Sequence, residues 1–312
     1  MPTKRNYGGE QQNYVPKGNE AGGQWGDVET GSNVNWKNPN AKESDLVKGV
    51  EKGFGLEAKK KTDDDKNAPK VGVRNLIEKS RSPWKDEFLK SYDKGNETSK
   101  AIIDKIGDRL TIKIASKGGS YYTPIYGSVH LNSRLAQLTL NIEGWYDDES
   151  TVYHEFGHAL DYQLFEKMLK GKRQYLGETI SNKYVTKNGK TLLENIKEEM
   201  TPQVCERIVD DYMKEVKKAE DYRQARVAKA KYADLSDMRE AQSGKMGFAG
   251  GHMIKDPNYW NDGGENQATE AFAQLFSAKS SSNPERYKLL KKYIPNTCKA
   301  FDEIYQKMKG IK

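Results

Sequence analysis

The sequence predicts an α+β fold. A small twisted sheet lies above a helix carrying a His-Glu-x-x-His motif, the lower part is mainly helical with a long helical insertion, and a disordered arm precedes it. Three observations carry this. Helix-like apolar spacing on both sides flanks a stretch, residues 110–142, in which the period drops to two. The motif at 154–158 follows that stretch directly. Residues 1–70 are rich in Gly, Asn, Gln, Lys and Asp, with few aliphatics and no sustained period, so they cannot build a core.

In chain order, residues 1–70 read as a disordered or docking arm that ends in the solvated run Lys59–Lys66. The folded domain spans 71–312. Ser82 reads as the N-cap of a helix with Pro83 in its first turn. Another helix runs from Glu97 through Ile106. Leu110–Ile114 alternates as a strand. Tyr121–Tyr126 and Ser128–Asn132 form a hairpin or an interrupted strand, with Pro124 suited to an edge. Ala136–Ile142 alternates again. Residues 176–243 form the helical insertion. Leu192, Leu193 and Ile196 make one apolar stripe, and Val204, Ile208 and Tyr212 make another after Thr201-Pro202. Lys214–Lys231 reads as one solvated helix laced by i,i+4 charge pairs. The insertion is a candidate lid or partner-docking arm.

Composition bounds the function. No run of eighteen apolar residues occurs, so no membrane span is expected. Met1–Tyr7 lacks an apolar segment, so no secretory signal is expected, and the location expected is cytoplasmic or virion-associated. Cys205 and Cys298, the two cysteines, read as core thiols in a reducing compartment. The net charge is +7, but lysines are interspersed with acids, which argues against a nucleic-acid partner.

The chain has four histidines, and two of them fall in His154-Glu155-Phe156-Gly157-His158. Two imidazoles four apart on a helix project from one face and can reach one metal ion. Glu155 is placed to accept a proton from water in the same cleft. Asp147–Ser150 supplies acidic first-turn residues and an N-cap. A catalytic zinc takes three protein ligands. A third His six residues after His158 is excluded, because that position is Leu164. The other common solution is a Glu on a later helix. Asn266–Phe276 is amphipathic, with Ala268, Phe272, Leu275 and Phe276 inward and Glu270 close to that face. Glu265, Glu240, Asp237 and Asp161 are the rivals, with Asp161 suited to orienting a ligand from behind. His130 reads as a pairing or surface residue. The Gly-rich loop Gly244–His252 leads to Tyr259-Trp260, and His252 or Tyr259 could donate to a developing oxyanion.

The segments His154–Asp161 and Glu270-Ala271-Phe272-Ala273 together resemble the catalytic domain of anthrax lethal factor and related Pro-Pro endopeptidases, which are zincins of the gluzincin type. The likeness runs on through Asn283–Arg286 and Lys291–Pro295. It implies Zn2+ at His154, His158 and Glu270, with Glu155 as general base and a protein or peptide as substrate. It also implies that the strand before the His helix rims the cleft, with Tyr126–His130 as candidates for pairing with an extended substrate. Where that family has a Tyr seven residues before its Glu ligand, this chain has Gly263. The arm segments Gln12–Asn19 and Ala21–Gly26 resemble short motifs of bacteriophage virion and head-associated proteins, which implies a particle partner. Competing with an enzyme is a structural virion protein whose zincin-like domain does no chemistry. A further reading is a toxin-like effector delivered with a particle.

Overall fold

In the computed structural model, residues 72–115, 121–123, 128–132, 149–175, 178–245, 247–249, 258–260 and 264–312 are described. The chain divides into residues 1–68 with 174–177, and residues 69–173 with 178–312. Every helix and strand named here belongs to the second unit. The predicted strand Ala136–Ile142 lies outside the described residues, as does the arm.

The second unit is mainly helical. It begins with α1 (Val73–Glu78), α2 (Lys85–Lys94) and α3 (Glu97–Ile103), and a 3-10 turn (Asp104–Arg109) continues from α3. Asn96 caps α3 by accepting from Ser99 N at 2.9 Å. The helix predicted at Ser82 starts later, at Lys85, because the Ser82 hydroxyl takes the Trp84 N–H in a local turn at 3.3 Å.

The sheet has three strands among the described residues: β1 (Thr111–Ala115), β2 (Tyr121–Thr123) and β3 (Ser128–Asn132). Their order is β1-β3-β2. β1 runs parallel to β3 with Thr111 opposite Ser128, and β2 runs antiparallel to β3 with Tyr121 opposite His130. This corrects two expectations. Among the described residues, the sheet is a small patch bordering the His helix through β2 and β3, not a layer laid over it. And β3 is the middle strand: from Ser128 to His130 it is paired on both sides, so it offers a substrate no free edge there.

Then come α4 (Glu149–Gln163), α5 (Phe165–Leu169), α6 (Ile180–Lys183), α7 (Leu192–Glu199), α8 (Pro202–Lys218), α9 (Tyr222–Lys231), α10 (Ala233–Ser243), α11 (Glu265–Ser280), α12 (Pro284–Tyr293) and α13 (Pro295–Gly310). Ser150 falls inside α4, and its carbonyl accepts from Ser277 Oγ on α11 at 2.8 Å. α8 starts as predicted, with Pro202 at its first position and Thr201 Oγ1 accepting from Val204 N. The charged stretch 214–231 is not one helix. It breaks at Ala219, whose backbone is extended, and Lys231 Nζ then folds back onto Glu215 Oε1 at 2.6 Å. The two cysteines are buried and free.

The core is one cluster, and the insertion contributes to it through Leu192, Ile196, Tyr232, Leu235 and Met238. At its centre α4 packs on α11. α4 buries Val152, Tyr153, Phe156, Ala159 and Leu160, while α11 buries Ala268, Phe272, Leu275 and Phe276 as predicted, with Ala271 and Ala273 besides. The two backbones meet at Gly157. A Cβ placed there would lie 2.7 Å from Ala273 Cα, so only a glycine lets the helices approach this closely.

Gly157→Ala is predicted to lower Tm by about 2 °C or more, because overpacking outweighs the helix-propensity gain of about 1 kcal/mol. Thermal unfolding followed by circular dichroism measures it. A raised Tm would show that the approach is not tight.

Candidate metal centre

The crossing of α4 on α11 determines what lies beside it. His154 and His158 flank Gly157 on α4. Glu270 lies one turn before Ala273 on α11 and therefore meets both imidazoles. His154 Nε2 and His158 Nε2 are 3.1 Å apart. His154 Nε2 lies 3.2 Å from Glu270 Oε2, and His158 Nε2 lies 3.5 Å from Glu270 Oε1. Atoms held about 2.0–2.1 Å from one tetrahedral ion lie about 3.3–3.4 Å from one another. The nitrogen–nitrogen contact, and the contact of each nitrogen to its own Glu270 oxygen, lie close to that spacing. Two ring nitrogens and a carboxylate form a donor set that could hold a metal ion, and no other group of this kind occurs among the described residues.

Burial is uneven across the triangle. The Glu270 side chain is 7% exposed, while the His154 and His158 side chains are 17% and 16% exposed. The carboxylate is the inner wall and the imidazoles border the open side. Glu155, next to His154 on the chain, is buried.

Tyr259 joins this group. Its phenol donates to Glu270 Oε1, the oxygen that faces His158. Asn266 Nδ2, in the first turn of α11, holds the Tyr259 carbonyl at 2.6 Å. Gly264, just before α11, has φ +102, which an L side chain rarely adopts, and it turns the chain into the helix. The sequence places Tyr259 near the cleft but misses its bond to Glu270 and the role of Asn266. The available signal is an Asn in the first turn of the helix that bears the Glu.

Of the other candidates, Asp237, Glu240 and Asp161 have partners elsewhere. His252 and Gly263 lie outside the described residues, as do the side chains of Glu265 and His130. Asp237 accepts from Gln274 Nε2 at 3.1 Å, and Glu240 accepts from Gly247 N and Trp260 Nε1. Asp161 does not back up His158 with a hydrogen bond. It binds Ser181, taking the N–H at 2.7 Å and the hydroxyl at 2.6 Å, and so ties the His helix to α6. Burial pushes its carboxyl up to about 7, against the weaker pull of the Ser181 donors.

Comparison with family models, with curated proteins and with solved structures finds no match.

Asp161 fixes a pH dependence. Its folded value lies above that of an unfolded chain, about 3.9, so its contribution to stability is fullest below about pH 4 and is lost as the pH rises to about 7. Asp161→Asn keeps an acceptor for Ser181 N and removes the charge. The variant is predicted to gain on wild type between about pH 4 and 7, by an amount on the order of a few kcal/mol. Urea midpoints at both pH values measure it, and parallel pH profiles for the two proteins would contradict it.

Proposed function

We propose that this chain is a zinc-dependent endopeptidase of the gluzincin type, built on a zincin-like α+β domain. The observation that carries the reading is the triangle of His154 Nε2, His158 Nε2 and a Glu270 carboxylate, sized for one tetrahedral ion and partly open on the imidazole side. Two imidazoles and one carboxylate suit zinc among the common metals. A zinc ion held there would polarise a peptide carbonyl and bring the pKa of a bound water to about 7.

The remaining steps belong to the chain's own residues. Glu155 takes the proton of the attacking water and passes it to the leaving nitrogen as the C–N bond breaks. Tyr259 holds Glu270 in place, and its single O–H would serve the developing charge only by turning from Glu270 to it; His252, placed by sequence in the loop leading to Tyr259, is the other candidate donor. The short arm motifs support delivery in, or attachment to, a phage particle. Among the described residues no helix is long and apolar enough to cross a membrane.

Metal analysis together with a proteome-wide cleavage assay tests this. Wild type is expected to carry one zinc and to cleave protein. Glu155→Gln should keep the zinc and lose hydrolysis by about 100-fold or more. Turnover at the wild-type rate in that variant would remove the mechanism. Glu270→Ala should lose zinc while Glu265→Ala keeps it. Stoichiometric zinc without cleavage of any protein would favour the structural virion protein instead.

A further inference from the structure

We propose that Glu240 is a positioning residue for the metal centre: from α10 it fixes the turn that presents Tyr259 to Glu270. Glu240 has no exposed surface. A carboxylate is kept in such a place only where donors meet it. Two of those donors come from distant points of the chain. Gly247 N donates to Oε1 at 3.0 Å, and Trp260 Nε1 donates to Oε2 at 3.4 Å. One side chain therefore ties down both ends of the segment 247–260.

The segment matters because of what stands beside Trp260. The rings of Tyr259 and Trp260 meet edge to face, with centroids 4.7 Å apart. Tyr259 is thus gripped from two sides, by α10 through Trp260 and by α11 through the Asn266 bond to its carbonyl. Held in this way, its phenol reaches Glu270 Oε1. Trp260 also lines a gap together with Met238 and Ala241 of α10 and Glu270 and Ala271 of α11. The last helix of the insertion is, on this account, part of the support of the metal ligands. The metal readout rests on the zinc reading; the positioning claim itself does not.

Two measurements on the full chain test it. The first is amide exchange on metal-free protein. Glu240→Gln keeps one acceptor but turns an NH2 toward the other donor, and Trp260→Phe removes the ring N–H together with part of the indole's packing. Both are expected to raise exchange at 247–249 and 258–260 while leaving 295–310 unchanged. The second is zinc affinity by chelator competition. Glu240→Gln, Trp260→Phe and Tyr259→Phe should each weaken zinc by about 10-fold or more, and Glu240→Gln with Tyr259→Phe should be no weaker than Tyr259→Phe alone. Unchanged exchange at 258–260, or affinity losses that multiply in the double variant, would overturn the proposal. If wild type binds no zinc, the metal reading falls, and the exchange comparison still decides whether Glu240 holds the Tyr259 turn.

Discussion

Where the backbones of two helices press together at Gly157 and Ala273, no side chain stands between them. A glycine in mid-helix costs about 1 kcal/mol relative to alanine. The cost is offset by the short distance at which α4 and α11 can cross. Residues 154 and 158 lie about one turn apart with Gly157 between them, and Glu270 lies about one turn before Ala273. Bringing the backbones into contact therefore brings two imidazoles and a carboxylate into contact as well. With a larger residue at 157 the helices would stand further apart, and the edges of 3.1, 3.2 and 3.5 Å would lengthen.

Other contacts hold this crossing in register. Ser277 Oγ reaches the Ser150 carbonyl, which ties α11 to the start of α4. Tyr153 stacks on Tyr92 and donates to its carbonyl at 2.7 Å, which fixes α4 to α2. Asp161 binds Ser181 and anchors the far end of the same helix. On the other side, Asn96 Nδ2 donates to the Lys279 carbonyl while its own N–H donates to the Ser280 carbonyl, so the end of α11 is capped by the start of α3. Both α4 and α11 are fastened at points outside the cluster of His154, His158 and Glu270. A metal would meet ligands that are already in place, and little ordering would be left for it to drive.

What the sequence reveals depends on how local the cause is. Spacing on a single helix makes His154 and His158 legible, and an apolar face makes Glu270 legible, since Ala268, Phe272, Leu275 and Phe276 point inward as read. The close approach at Gly157 is a pairing between segments over a hundred residues apart, and no local pattern encodes it. The same holds for β3, whose place in the middle of the sheet depends on pairing with β1. Asp161 has the right spacing to support a ligand from behind, yet a nearer donor, Ser181, takes its carboxylate. The break at Ala219 is hidden because charged residues on both sides suit a helix equally well; the bond from Lys231 to Glu215 closes the hairpin that results.

The central claim is that this helix crossing builds a three-ligand metal site. Anomalous diffraction at the zinc edge, from crystals grown with zinc, tests it most directly. The account predicts one strong peak about 2.0–2.2 Å from His154 Nε2, His158 Nε2 and a carboxylate oxygen of Glu270. A peak bound by the two histidines with Glu270 turned away, or no peak between α4 and α11, would contradict it.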